Sequence, residues 1–285
     1  EQDLSGILTL GGTILGTSRE KPFKGSGKKN EIKKPVLIKE HYEQMGLDCL
    51  VCIGGNGTLK TAYLLSQEGL NVIGIPKTID NDVWGTDVTF GFDSAVNIAT
   101  EAIDRLHSTA NSHKRIMIIE LMGHNAGWIA LYSGIAGGGD VILIPEIPYD
   151  DKKIAEYLLR RVEGNKPYSI VVVAEGIRNP SNERSVSHYL SNRIYELTGL
   201  ETRETVLGYI QRGGTPSPMD RVLATRYGTA AADMIAARNF GQMVALKNEG
   251  IVPVPLSEVA GKLKLVEPDD PLVIQARNMG TSFGN

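Results

Sequence analysis

The chain has 285 residues, of which 41% are hydrophobic and 22% charged, and it carries a formal net charge of -3. These values are typical of a globular protein with a sizeable core, and the small net charge gives no support for nucleic-acid binding. The sequence has no run of about 18 apolar residues, which excludes a membrane-spanning helix. No signal segment opens the chain, so we expect a cytoplasmic protein; the missing initiator Met predicts that an N-terminal piece is absent.

Two cysteines, Cys49 and Cys52, lie in the apolar run CLVCIGG. A structural zinc site needs about four Cys or His ligands, and the sequence places no second pair of them nearby. We therefore expect buried thiols in a reducing compartment and no zinc.

Strand-like and helix-like segments alternate along the chain. Short runs rich in branched apolar residues predict strands at Leu50–Ile53, Val72–Ile75, Ile116–Leu121, Val141–Ile144, Ile170–Val173 and Thr205–Ile210. Amphipathic segments with an apolar period near 3.6 predict helices at Leu59–Glu68, Ser94–Ser108, Trp128–Ile135, Lys153–Val162, Tyr189–Leu197 and Met219–Ala237. The alternation predicts an α/β protein with two lobes, whose mostly parallel sheets are covered by helices.

The number of strand–helix units exceeds what one compact sheet usually holds, which is why two lobes are expected. We place the lobes at residues 1–147 and 148–285, and we allow the chain to cross between them. Lys21–Lys39, rich in lysine, predicts a surface loop. Asn179–Ser187 predicts a second loop, or a point where residues are missing.

The sequence CLVCIGGNGT at 49–58 combines a buried strand, a glycine turn and the start of a helix. The free N–H groups of such a helix start, and its positive dipole end, favour a phosphate group. Gly57 leaves room for a phosphate chain against the backbone. A plain strand-to-helix turn remains the alternative, because the pattern matches neither a dinucleotide fingerprint nor a Walker loop.

The sequence PKTIDND at 76–82 follows the next predicted strand directly. Ligands of open α/β sheets bind beyond the carboxyl ends of the strands. Asp80 and Asp82 could there supply a general base and a ligand for Mg²⁺. The alternative is a solvated turn in which the aspartates only cap the backbone.

Three arginines and a glutamate lie at the ends of predicted strands, where we expect the arginines to converge on one crevice. Arg115, Arg203 and Arg212 suit phosphate groups, which arginine binds with two parallel hydrogen bonds. Glu175 could accept hydrogen bonds from sugar hydroxyls. For any single arginine, a surface ion pair is the alternative.

Eight motifs in this order, GGTILGTSR, GGNGT, PKTIDND, SHKR, MGHNAG, AEG, ETR and LGYIQRGG, closely resemble the ATP-type 6-phosphofructokinases of the mixed bacterial branch. The resemblance covers nearly the whole chain. It implies two Rossmann-like lobes, a homotetramer, and phosphorylation of fructose 6-phosphate at its 1-hydroxyl with ATP and Mg²⁺. It also implies that residues 1–147 bind nucleotide and magnesium, and that residues 148–285 bind the sugar phosphate.

The resemblance assigns a catalytic turn and a nucleotide side. Asp80 resembles the general base, with Thr78 beside it. Arg19 resembles the arginine that bridges the donor phosphates and the transition state. The residues implied to hold ATP are Arg19, Glu20, Gly55, Asn56, Gly57, Thr58 and Lys77, and those implied to hold the metal are Asn56 and Asp82.

The resemblance also assigns a sugar side. His124 is implied in catalysis as well as in binding. Arg115 and Arg203 resemble two arginines that a neighbouring subunit lends to the site, so that active sites are shared. The other residues implied to contact fructose 6-phosphate are Thr78, Ile79, Asp80, Met122, Gly123, His124, Glu175, Tyr209, Ile210, Gln211 and Arg212.

The sequence departs from the family pattern in four respects. The opening glycine-rich strand and loop are absent. Asn56 stands where the family usually has Asp, and His124 and Tyr209 stand where it usually has Arg and His. Lys77 resembles the branch that uses pyrophosphate, but that branch typically has Asp where this chain has Gly57. Steric room at Gly57 favours ATP as the donor.

Other functions stay open at this stage. The first is a pyrophosphate-dependent phosphofructokinase, and the second a catalytically weak regulatory subunit that binds a sugar phosphate, which Asn56 and His124 suggest. The third is a dehydrogenase, which the fold alone suggests. A dehydrogenase needs a glycine fingerprint followed by an acidic residue about 20 positions on, and we find no such pair after a strand.

Overall fold

The computed structural model describes residues 6–18, 20–24, 34–180 and 185–285. Within them, nine strands form, namely β1 Leu50–Gly54, β2 Val72–Thr78, β3 Phe90–Gly91, β4 Ile116–Leu121, β5 Val141–Leu143, β6 Ser169–Ala174, β7 Thr202–Val206, β8 Gln242–Lys247 and β9 Gly250–Pro255. The α-helices of the same residues are α1 Lys34–Gln44, α2 Asn56–Gln67, α3 Phe92–His113, α4 Trp128–Ala136, α5 Asp151–Glu163, α6 Val186–Thr198, α7 Pro218–Ala236, α8 Leu256–Val259 and α9 Pro271–Asn278.

The chain divides into two compact units. The first comprises the described residues of Glu1–Thr78 with Asp82–Gly91 and Pro216–Lys264, and the second comprises Ile79–Asn81, Phe92–Thr215 and Leu265–Asn285. The expected boundary at residue 147 falls inside the second unit, so the division differs from the prediction. The physical reason is strand pairing, because β8 of the late chain pairs with β2 of the early chain.

The sheet of the first unit has the strand order β1-β2-β8-β9, with β3 beside β2. All its pairs are parallel except β8 with β9. Side chains alternate between its faces, as the two-residue period of a strand requires. Val72 packs with Leu59 of α2 in one cluster, whereas Ile73 packs with Tyr227 of α7 in another. Helices therefore cover both faces.

The second unit has a parallel sheet with the strand order β5-β6-β4-β7. Every residue of β4 and of β6 is buried, as expected for central strands covered on both faces. The strand β7 lies at an edge and is mostly exposed. The expected α/β class with mostly parallel sheets is confirmed in both units.

Three sequence predictions differ from the observed elements. The predicted strand Thr205–Ile210 is wrong, because β7 ends at Val206 and a 3-10 turn, Gly208–Arg212, follows it. Gly208 has a φ of 53°, a left-handed conformation that ends an extended run. The predicted loop Lys21–Lys39 is wrong for its last six residues, which begin α1, while 25–33 lie outside the described residues. The antiparallel pair β8–β9 was not predicted.

Candidate active site

The glycine loop of the first unit lies between β1 and α2. Gly55 is the N-cap of α2, with extended backbone angles, and the helix begins at Asn56. A Cβ on Gly54 would lie 2.3 Å from Oγ1 of Thr58, and one on Gly55 would lie 3.3 Å from Cβ of Thr78. Packing therefore requires glycine at position 54, whereas a Cβ at position 55 would be tight against Thr78. The start of the helix lies close to the end of β2.

Gly57 is a glycine for a different reason. A Cβ at this position would meet no atom within 4 Å, and its φ lies outside the left-handed region. Neither the backbone nor the packing of the first unit therefore requires glycine here. The exposed side of α2's first turn is left open at Gly57 and Thr58, beside the N–H groups that a helix start leaves without intrahelical partners.

Asn56 and Asp82, the two predicted metal residues, lie side by side. The Nδ2 atom of Asn56 donates to the backbone oxygen of Asp82 at 3.2 Å. The Oδ1 atom of Asn56 is buried and accepts no hydrogen bond from the described residues. An amide oxygen is a ligand that Mg²⁺ accepts, so the pair fits a magnesium ion. No cluster of three or more His, Cys, Asp or Glu exists among the described residues.

The acidic turn begins where β2 ends at Thr78. Asn81 has a φ of 53°, which turns the chain sharply. Asp80 is half-buried, Asn81 and Asp82 are buried, and Lys77 is exposed. Ile79–Asn81 belong to the second unit, whereas Thr78 and Asp82 belong to the first. The chain thus leaves the first unit after Thr78 and returns to it at Asp82, and Asp80 lies in the short segment between.

A half-buried lysine that the sequence did not single out holds the residues after this turn. The backbone N–H of Lys264 donates to the backbone oxygen of Asp82 at 2.8 Å. Its Nζ donates to the backbone oxygens of Thr86 at 3.1 Å and Asp87 at 2.6 Å. Burial lowers the pKa of Lys264 to about 8, which the nearby Asp87 carboxylate opposes. Lys264 therefore fixes the first-unit end of the turn.

Two predicted nucleotide residues precede the glycine loop. Arg19 lies outside the described residues. Glu20 is exposed and forms an ion pair with Lys34 at the start of α1. The hydrogen bond and charge of Lys34 lower the pKa of Glu20. An exposed pair of this kind contributes little to stability.

In the second unit, three consecutive backbone N–H groups follow β4, and side-chain oxygens accept all three. Met122 N–H donates to Oε1 of Gln211 at 2.7 Å. Gly123 N–H and His124 N–H donate to Oε1 of Glu175 at 3.3 and 2.8 Å. Consecutive N–H groups form a concavity that attracts anions, and here the carboxylate of Glu175 occupies part of it.

The loop Met122–His124 has a backbone that few sequences tolerate. Gly123 has a φ of 149° and His124 a φ of 53°. A Cβ on Gly123 would lie 2.6 Å from the backbone oxygen of Ala126, and one on Gly176 would lie 2.1 Å from the backbone oxygen of His124. The glycine of the AEG motif is therefore needed for Glu175 to approach the loop.

The 3-10 turn Gly208–Arg212 carries the remaining predicted sugar residues. Tyr209 is 76% and Ile210 67% exposed, and Arg212 is also exposed. Gln211 is 1% exposed and points inward. The structure therefore brings this turn together with Met122–His124 and Glu175 at the carboxyl ends of β4, β6 and β7.

Arg115 and Arg203 lie at the other end of the same sheet. Arg115 precedes β4, and Arg203 pairs in register with Met117 near the start of that strand. Seven residues separate Arg115 from Met122, which is about 23 Å along a strand. Both arginines face Glu201, at 2.6 Å for Nε of Arg115 and 3.8 Å for Nη2 of Arg203. Within one chain, Arg115 and Arg203 therefore do not converge with Arg212, and their contribution to a neighbouring subunit's site stays a prediction.

A buried carboxylate near the loop was missed by sequence reasoning. Glu120, in β4, is 9% exposed, and its Oε2 accepts from Ser187 N at 2.9 Å and from Ser187 Oγ at 2.7 Å. It thereby holds the first turn of α6 beside His124 and Glu175, which line the same cavity. A charged residue inside the apolar run IMIIEL was the available signal.

The comparisons with known proteins agree with one another. The phosphofructokinase family model matches residues 1–235. The chain is 62% identical to the "ATP-dependent 6-phosphofructokinase 3" of Bacteroides thetaiotaomicron, over all of this chain and 84% of that protein. It is 48% identical to the "Pyrophosphate–fructose 6-phosphate 1-phosphotransferase" of Amycolatopsis methanolica, over 94% of this chain and 81% of that protein.

The fold is also that of solved relatives. The crystal structure of Pichia pastoris phosphofructokinase in the T-state matches with a TM-score of 0.81 and 34% identity. The match covers 90% of this chain, which spans 29% of that yeast chain. The described residues contain no helix that is long and apolar enough to cross a membrane. On the family match and the identities to curated relatives, the chain belongs to the phosphofructokinase family.

Proposed function

We propose that this protein is an ATP-dependent 6-phosphofructokinase, which transfers a phosphoryl group from ATP to the 1-hydroxyl of fructose 6-phosphate. The observation that carries the choice of ATP is the open space at Gly57, where neither packing nor backbone conformation requires glycine. A ligand that lies against the helix start explains this glycine. The name of the relative from Bacteroides thetaiotaomicron supports the same donor.

The chain's own groups have the following roles in this reaction. The N–H groups at the start of α2 bind the donor phosphates, and Gly57 allows the close approach of backbone to phosphate. The carboxylate of Asp80 accepts the proton of the sugar's 1-hydroxyl as that oxygen attacks the terminal phosphorus. Thr78 lies beside Asp80 at the end of β2, and Arg19 and Lys77 supply positive charge for the donor phosphates.

Asn56 and Asp82 would hold Mg²⁺, because the buried Oδ1 of Asn56 needs a partner and Asp82 is adjacent. The ion, when bound, neutralises charge on the phosphates. Both residues are fixed to each other and, through Lys264, to the segment after the turn.

The sugar phosphate is proposed to bind at the loop Met122–His124, Glu175 and the exposed face of Gly208–Arg212. Within one chain, Arg115 before β4 and Arg203 at the start of β7 lie at the opposite end of the sheet from this place. We infer that a second subunit supplies them, within a homotetramer. Both arginines form ion pairs with Glu201. Because exposed ion pairs are weak, a phosphate group can replace Glu201 as their partner. A cytoplasmic location belongs to the same proposal.

One assay tests the donor directly. Purified protein with fructose 6-phosphate and Mg²⁺ is offered ATP or pyrophosphate in turn, and the initial rates are compared. Faster turnover with saturating ATP supports the proposal. Faster turnover with pyrophosphate favours the second candidate, which Lys77 and the Amycolatopsis methanolica relative suggest. Binding of the sugar phosphate without turnover by either donor would indicate a regulatory subunit.

A further inference from the structure

Gln211 is the one inward-facing side chain of the exposed 3-10 turn Gly208–Arg212. It is 1% exposed, while its neighbours Tyr209 and Ile210 are 76% and 67% exposed. A glutamine carries two polar groups that are costly to bury without partners. Its burial in a turn of exposed residues therefore calls for a specific reason.

The side-chain oxygen of Gln211 supplies that reason. Oε1 accepts the Met122 N–H at 2.7 Å, and both atoms are buried. The bond joins segments 89 residues apart in the sequence. One segment ends β4 and leads into Gly123 and His124, and the other carries Tyr209 and Arg212. A backbone bond from the Leu207 N–H to the oxygen of Glu120, at 3.0 Å, joins the same segments at the end of the β4–β7 pairing, and the bond of Gln211 continues the connection into the loop.

Met122 N–H is also the first of three consecutive donors in the loop. Glu175 accepts the next two, but it cannot fix the loop's first residue. His124 adopts a φ of 53°, a left-handed conformation that a residue other than glycine populates poorly without external restraint. Gln211 and Glu175 together restrain the loop from its two ends.

We propose that Gln211 is a positioning residue that does not contact the sugar phosphate but sets the spacing between Met122–His124 and the turn bearing Tyr209 and Arg212. The proposal rests on the assignment of this site to fructose 6-phosphate. The Nε2 atom of Gln211 has no partner among the described residues, so the positioning role rests on the Oε1 atom, which accepts the Met122 N–H. Positioning of the loop then requires a hydrogen-bond acceptor at position 211, but it does not require the amide nitrogen of a glutamine.

Three variants separate these requirements. Gln211→Leu removes the acceptor and leaves the Met122 N–H buried without a partner. Gln211→Glu keeps an oxygen at the same reach. Ser133→Ala, in buried α4 of the same unit, is the control for a loss of buried packing away from the site. Each protein is assayed for the KM of both substrates, and amide hydrogen exchange at Met122 is measured without ligand.

We expect Gln211→Leu to raise the KM for fructose 6-phosphate by about 10–100-fold, the usual effect of leaving a buried donor unpaired. The KM for ATP should change less than about twofold, since the nucleotide loop is in the other unit. Exchange at Met122 should be at least about tenfold faster in Gln211→Leu, and near wild type in Gln211→Glu and Ser133→Ala.

An unchanged sugar-phosphate KM together with unchanged exchange in Gln211→Leu would overturn the proposal. Equally fast amide exchange at Met122 in Gln211→Leu and Gln211→Glu would also overturn it, because an acceptor would then not be what protects this N–H. Should Gln211→Leu fail to fold, Gln211→Asn carries the same readouts with a shortened reach. If the wild type does not act on fructose 6-phosphate, the proposed function fails, while the exchange rates still decide the role of Gln211.

Discussion

The glycine loop of the first unit and the loop Met122–His124 of the second bind phosphate-bearing ligands in our proposal, but they are built differently. The first relies on the backbone at the start of α2, with Gly57 left open. The second is held by Glu175 and Gln211, whose oxygens occupy its N–H groups before any ligand arrives. Ligand binding at the nucleotide loop therefore depends on the lack of a side chain at Gly57. The conformation of the sugar loop depends instead on the side chains of Glu175 and Gln211, which are distant in the sequence.

Removal of the proposed base should have the largest effect, because neither loop can compensate for it. We expect Asp80→Ser to lower kcat by about 10²–10⁴-fold, the usual contribution of a positioned base. The KM for fructose 6-phosphate should change far less. Steady-state kinetics measure both values, with the exposed Asp104→Ser of α3 as the control. A variant that keeps more than about a tenth of wild-type kcat would remove Asp80 from this role.

Filling the open position tests the nucleotide loop. Gly57→Asp should cut the ATP-supported kcat/KM by at least about a hundredfold, which corresponds to about 2.7 kcal/mol. The carboxylate would take the volume of a phosphate and place like charges a few Å apart, which costs several kcal/mol at an effective dielectric near 20. Lys77→Gly alone should not switch the donor, because a lysine attracts either donor. Retention of ATP activity in Gly57→Asp would contradict the reason given for this glycine.

Mixing inactive variants tests whether the sugar loop is completed by another subunit. Arg115→Ala and Asp80→Ser should each be nearly inactive alone. After dissociation and reassembly together, the mixture should exceed either parent by about tenfold, because a hybrid can contain one intact site at a symmetric interface. Subunit exchange is checked by mass spectrometry of differently labelled chains. Proven exchange without recovery would place both arginines outside the neighbour's site.

The sequence located the glycine loop and the acidic turn better than the partners of the loop Met122–His124, for a physical reason. The motifs GGNGT and PKTIDND each lie within a few residues of a buried strand, so local pattern reveals their place. The Asn56–Asp82 contact agrees with the rule that both loops open on one sheet edge, although only the family resemblance singled out these two residues. By contrast, the partners of the Met122–His124 amides lie 51 to 89 residues away, and no local pattern encodes such a pairing.

The wrong strand and the observed division into two units both depend on contacts between segments that lie far apart in the sequence. The apolar run TVLGYI predicts a strand, but the buried bond of Gln211 to Met122 turns its second half into a 3-10 turn. The return of β8 to pair with β2 moves the late chain into the first unit. In β9, Pro253 and Pro255 weaken the strand signal, although proline is tolerated at a sheet edge.

Replacing Gly176 or Gly57 by alanine adds a single methyl group, which is the smallest test of the difference between the packed sugar loop and the open nucleotide loop. At Gly176 a Cβ would lie 2.1 Å from the backbone oxygen of His124, so Met122–His124 must shift. We expect Gly176→Ala to lower the free energy of unfolding by about 1–3 kcal/mol, the usual cost of overpacking, and to raise the KM for fructose 6-phosphate. At Gly57 a Cβ meets nothing within 4 Å.

Gly57→Ala should therefore leave the free energy of unfolding unchanged or raise it by up to about 1 kcal/mol, because alanine favours a helix more than glycine does. Its effect should appear in the KM for ATP, since a methyl group reduces the space for the donor phosphates. Urea unfolding and steady-state kinetics on both variants measure the four values. If Gly57→Ala destabilises the protein as much as Gly176→Ala does, then Gly57 serves the fold, and the contrast between an open nucleotide loop and a packed sugar loop does not hold.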